Sequence, residues 1–193
     1  MTVDLPPLIQ ERLVCSLSAA AKYGIPANIL LAVAEKENGA PGQWVRNRNG
    51  SHDVGQLQFN TEYLRSLARY RITPADVAAA GCYAYDLAAW RLRQHITKDV
   101  GDLWTRCANY HSRTARFNYA YRADLMHRSA RWADWLAARF QTHEILRIEV
   151  APRAPSLTSG VEVRGMTSKQ KLESTSLNSA AYVPRKLLSN ERP

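Results

Sequence analysis

Glu37 is placed where a carboxyl group can do acid–base chemistry. It follows Val33 by one helical turn and so projects near the apolar face of a helix opened by Pro26. A carboxyl beside apolar neighbours has a raised pKa and stays protonated near neutral pH, as a general acid must. Glu35 and Lys36 point elsewhere and are expected in solvent, and Gly39 ends the helix and leaves room for a cleft. Taken alone, the spacing equally fits a helix-terminal carboxylate that reaches water. A second constellation runs from Asp53 to Asn60, where Gln56, Gln58 and Asn60 alternate on an expected short strand. Amides both donate to and accept from hydroxyls, which suits sugar recognition, and Gly55 would let a ligand come close to the backbone. An edge strand with a polar outer face has the same pattern. Third, Tyr110 at a helix end offers a phenol that can bond a carboxyl, or that is simply half-buried.

Other chemistries find less support. His52, His95, His111, His127 and His143 are scattered and none is spaced with Cys or Asp as a metal ligand set, so no metal or other cofactor is expected. Cys107 and His111 are one turn apart, but no orienting partner or nucleophile motif accompanies them. Cys15, Cys82 and Cys107 are too few and too far apart for a disulfide framework; one bridge with one free thiol, or three thiols, both fit.

The elements that position these residues read as mostly helical. Leu8 to Tyr23 has apolar residues at helical spacing and stops at Gly24; the Glu37 helix runs from Pro26 to about Asn38. Pro41 to Asn60, with the turn pair Asn49–Gly50, reads as a small irregular β hairpin. Helices follow over Thr61 to Tyr70, from the capped start at Thr73–Asp76, over Asp86 to Ile96, over Gly101 to Tyr110 and over Arg116 to Phe140. Trp132 and Trp135 on the last are expected to pack on the core. The expected fold class is α+β, mostly α-helical, with residues 1–143 as one domain. Residues 144–193 form a basic tail, rich in Pro, Ser and Thr, that is expected to be mostly disordered.

The 193 residues carry a net charge of +9, which favours an anionic partner without choosing one. A nucleic-acid binder has only this charge in its favour, since no binding motif is recognisable. No apolar run approaches the roughly 18 residues that span a bilayer. Met1 to Pro7 lacks the basic start and apolar stretch of a secretory signal.

The three constellations occur in order within a wider pattern. Ala32 to Gly39 and Asn47 to Asn60 resemble the core of the soluble lytic transglycosylase family, in particular its small members associated with type IV secretion and conjugation. Cys82 to Tyr85, Ala89–Trp90 and Trp104 to Thr114 also resemble that subgroup, and the likeness covers about residues 10 to 125. It implies a lysozyme-like fold with Glu37 as the catalytic glutamate. Gly55, Leu57 and Gln58 fall on the family's Gly-Leu-Met-Gln motif, with Gln58 on the glycan, and Tyr110 on the tyrosine that approaches the glutamate. Asn38, Gln56 and Leu57 stand where serine, leucine and methionine are usual, and Asn38 is still able to bond the carboxyl. The resemblance also implies that Cys15 and Cys82 approach each other and can be bridged.

The activity so implied is cleavage of the MurNAc–GlcNAc bond of peptidoglycan with formation of a 1,6-anhydro end, opening the wall locally for a secretion or conjugation apparatus. Glycosidases that use water need two carboxylates, and the only acidic residue between Glu37 and Asn60 is Asp53. A lysozyme-type hydrolase and a non-catalytic glycan-binding assembly protein are the alternatives. The expected partners are peptidoglycan strands and, through the tail, secretion or conjugation proteins. A periplasmic or wall-facing location follows from this function.

Overall fold

A computed structural model of the chain describes residues 6–144 and 185–187. Seven α-helices and a small antiparallel sheet make up most of it, the mostly helical α+β class expected. Helix α1 (Pro7–Tyr23) begins with Pro7, whose missing N–H costs nothing in a first turn, and ends where Gly24 takes the left-handed conformation at φ 60°. Helix α2 (Ala27–Glu37) starts after Pro26 and closes on Asn38, also left-handed at φ 46°. The stop is therefore Asn38, one residue before the glycine that the sequence suggests.

Ala27 to Ala34 are all buried, and Ile29 to Val33 are entirely without solvent contact. A helix apolar on every side belongs in the interior. Accordingly, α2 packs against α1 and against the long helix α7 (Ala115–Ala137), while α1 also packs on α5 (Tyr83–Lys98). Buried leucine or isoleucine side chains contribute about 1.5–3 kcal/mol each, and α2 supplies three of them in a row. A buried polar bond also tethers it: Asn28 donates to the Ser129 carbonyl of α7 at 3.1 Å.

The hairpin region resolves into three strands, β1 (Trp44–Arg46), β2 (His52–Val54) and β3 (Phe59–Asn60), in the order β1-β2-β3. Gly55 to Gln58 form a turn between β2 and β3 rather than the short strand expected of them. Their amides cannot alternate across a pleat, because Gly55 at φ 69° and Gln58 at φ 47° reverse the chain. Helix α3 (Thr61–Leu67) follows, capped by Asn60, then a single 3-10 turn. Helix α4 (Pro74–Ala78) has the full reciprocal cap of Thr73 and Asp76. Helix α6 (Leu103–Ala108) begins at Asp102, whose side chain accepts from the Thr105 N–H. Trp132 and Trp135 lie half-buried against the core, ring to edge at 5.7 Å.

Strand β4 (Thr142–Glu144) pairs antiparallel with β5 (Arg185–Leu187), which also lies beside α1 and α2. Arg185–Leu187 fall within the segment read from composition as disordered. Here they form a strand, because a three-residue ladder against β4 satisfies backbone groups that composition does not count. The remaining tail residues lie outside those described.

Candidate active site

Glu37 is the last residue of α2, and everything around it follows from how that helix ends. The Asn38 N–H bonds back to Ala34, and the Gly39 N–H donates to the Gln56 carbonyl at 3.1 Å. A Cβ at position 39 would fall 2.1 Å from the Gly55 oxygen and 2.5 Å from Nε2 of Gln58. Gly39 therefore admits the 55–58 turn against the helix end. It closes space there instead of leaving it open.

The Glu37 carboxyl is half-buried, and Oε1 accepts a hydrogen bond from the Tyr121 hydroxyl at 2.7 Å. Burial raises its pKa from 4.5 to about 7. The Tyr121 bond and the charges of Arg91 and Lys36 oppose that rise, while the Asp53 charge adds to it. Its place at the negative end of a helix acts in the same direction as burial. Beside it is a cleft of about 260 Å³ lined by Lys36, Glu37, His111, Phe117, Ala120 and Tyr121. Glu37 is the one carboxyl in that lining. His111 stacks flat on Tyr121, with centroids 4.8 Å apart and planes at 3°, and burial lowers its pKa, which favours the neutral ring.

The tyrosine hydrogen-bonded to Glu37 is thus Tyr121 on α7, while Tyr110 directs its hydroxyl elsewhere. Tyr110 is 3% exposed, and its hydroxyl donates to the Leu57 carbonyl at 3.3 Å. The sequence signal for Tyr121 is its place on the buried stripe Asn118, Tyr121, Leu125, Ser129 of α7, one side of a helix at helical spacing. Which helix that stripe meets is not written in the stripe. Phe117 and Ala120, exposed on α7, and His111, just before it, carry no such stripe signal.

The turn behaves differently from the expectation. Leu57 is wholly buried, so it supplies core and a backbone carbonyl rather than a ligand contact. Gln56 is 4% exposed and donates to Glu11 on α1. The backbone that approaches Gly55 is the protein's own: a Cβ there would lie 2.3 Å from the Val77 carbonyl of α4. Gln58 alone keeps a half-exposed amide, held by its Nε2 bond to the Gly55 carbonyl at 2.7 Å. Asn38 is exposed and takes a bond from Arg12 at 3.0 Å rather than bonding the Glu37 carboxyl.

Glu35 is not simply solvated. It accepts from Arg128 and Arg131, both at 2.7 Å, and from the Trp132 indole at 2.8 Å, which fixes α7 against α2. Lys36 pairs with Asp124 at 2.6 Å. Cys15 and Cys82 are joined in a disulfide, and Cys107 is free, buried, and pushed up by burial to about 12. A thiol with that pKa is no nucleophile at neutral pH.

The arrangement makes Glu37 a group that exchanges a proton near pH 7. Tyr121→Phe removes a bond that favours the ionised form, so the Glu37 carboxyl is expected to titrate above about 7 in the variant. Carboxyl-carbon NMR reads the change directly, and an unmoved or lowered titration would contradict it.

Comparison with known proteins finds distant relatives only. No family model matches the chain. Over 102 residues it is 26% identical to Invasion protein IagB of Salmonella typhimurium and 29% identical to Protein IpgF of Shigella flexneri. Each match covers 52% of this chain, with 63% of the first relative and 66% of the second. The chain thus spans just under two thirds of the length of the curated relatives it matches. Among the described residues, no helix is long and apolar enough to cross a membrane.

Proposed function

We propose that this protein is a lytic transglycosylase of peptidoglycan, with Glu37 as its single acid and base. The observation that carries this reading is the half-buried Glu37 carboxyl, with a pKa near 7, as the sole carboxyl lining its cleft. Glu37 protonates the glycosidic oxygen as the bond breaks. The same carboxylate then takes the proton of the C6 hydroxyl of N-acetylmuramic acid, and that oxygen closes on C1. Attack from within one sugar gains from proximity, with effective molarities that reach about 10⁵–10⁸ M, enough to outcompete water. Tyr121 holds the carboxyl in place, and the Gln58 amide is available to sugar hydroxyls.

Asp53 accepts a hydrogen bond from Asn60 at 2.9 Å and is absent from the cleft lining, so it is not placed as a second catalytic group. Mass spectrometry of digested peptidoglycan tests the reaction. The expected product ends are 1,6-anhydro sugars, lighter by one water than reducing ends. Reducing ends alone would make the protein a hydrolase and turn attention to Asp53.

We place the enzyme on the wall-facing side of the membrane, where it opens peptidoglycan locally for an envelope-crossing apparatus. Support comes from the Cys15–Cys82 disulfide, a bond of oxidising compartments, and from the likeness to a protein named for invasion. Loss of apparatus assembly on deleting the gene, restored by a wall-facing copy only, is the expected result.

A further inference from the structure

Arg91 of α5 is held among aromatic rings and has no oxygen partner among the described residues. Its guanidinium lies 4.1 Å from the ring centroid of Tyr63, 4.6 Å from Tyr110 and 5.9 Å from Phe59. Among the described residues it makes no hydrogen bond and no ion pair, and its Nε is buried without a partner. Other arginines of the domain find oxygens: Arg128 on Glu35 and Asp124, and Arg113 on Asp99.

A guanidinium stays charged at any ordinary pH and presents five donors along its edge. Aromatic faces hold its plane and satisfy none of those donors. Leaving a half-buried cation unpaired is costly, so its edge is open to an anion. The carboxyls of the region are engaged elsewhere. Glu37 is already bonded to Tyr121, and Asp53 to Asn60. Yet the Arg91 charge is the foremost of those acting on Glu37, and it also reaches Tyr121 and His111. It approaches from the side of β3 and α3, where Phe59 and Tyr63 lie, whereas the cleft is walled by α7.

We propose that Arg91 is a carboxylate-binding subsite beside Glu37, which selects glycan strands bearing free carboxyl groups over neutral ones. This rests on the reading of Glu37 as the residue that cleaves a glycan. Planar carboxylates match the guanidinium edge with two parallel hydrogen bonds. In peptidoglycan the carboxylate has two sources, the lactyl group of a peptide-free muramic acid and the stem peptide.

Binding is measured by calorimetry on the full chain carrying Glu37→Gln, so that no ligand is cut. The ligands are a peptide-free glycan fragment with free lactyl groups, the same fragment bearing stem peptides, and a neutral N-acetylglucosamine oligomer of equal length. One or both acidic ligands are expected to bind more tightly than the neutral one, and which does so names the source. Adding Arg91→Gln is expected to weaken the preferred acidic ligand roughly 10- to 100-fold and to leave the neutral one unchanged. Arg91→Lys, which keeps charge but not the fork, should retain part of the preference. Equal affinity for acidic and neutral ligands overturns the proposal even if the Gln variant does not fold, as does an equal loss on both. A wild-type chain that cuts no strand while the acidic preference persists would refute the Glu37 reading and leave the subsite standing.

Discussion

Glu37→Gln is expected to remove peptidoglycan cleavage, with a rate loss of roughly 100- to 10,000-fold, the usual value of a positioned general acid. The amide keeps the shape of the carboxyl and its bond to Tyr121 but has no proton to transfer. In the wild type the reactive form is the protonated one, so activity should fall as pH rises through about 7. Stability gives a second readout. The folded-state pKa of about 7 lies above the ordinary 4.5, so between those values the folded chain holds a proton that the unfolded chain has lost. Stability at this position therefore declines as pH rises from about 4.5 through 7, and the deficit persists above. Glutamine carries no such deficit. The variant should melt with the wild type near pH 4 and at a higher temperature at pH 8. Substantial lysis by the variant, or a lower melting temperature at pH 8, would remove Glu37 from its role.

Replacing Cys15 and Cys82 by serine is expected to destabilise the domain by about 2–4 kcal/mol in denaturant unfolding, and reduction of the wild type should do the same. The bridge spans 67 residues of sequence, so it restricts a long loop of the unfolded chain. It also clamps α1 to the start of α5 beside a polar junction. The Gln56 amide and the Gly81 N–H, 3.2 Å away, both donate to Oε1 of Glu11. Arg12, the next residue on α1, holds the Asn38 cap of the Glu37 helix. Loosening α1 thus loosens both sides of the site, and activity should fall with stability. Unchanged unfolding in reductant would show that the bridge contributes nothing.

The helices were legible because their causes are local. The apolar run of α2, the Thr73–Asp76 cap and Gly24 at the end of α1 act within one or two turns of their own chain. Glu37 was legible for the same reason, since its burial is foreshadowed by Val33 four residues earlier. The turn from Gly55 to Gln58 was misread as a strand because alternating amides look the same whether pleated or reversed, and Val77, from a separate helix, lies where a side chain at Gly55 would be.

By itself, then, the sequence determined which segments are helical and which carboxyl lies on an apolar face, while several helix ends differ from those read from it. Only the tertiary structure decided that Tyr121 rather than Tyr110 meets Glu37, that Gln56 and Leu57 turn inward, and that Arg91 is left with rings for neighbours. Tyr110 and Tyr121 are equally aromatic and both end up buried, so nothing local ranks them. The choice is made by how α7 packs across α2, a contact between residues 84 positions apart that follows from filling one shared core.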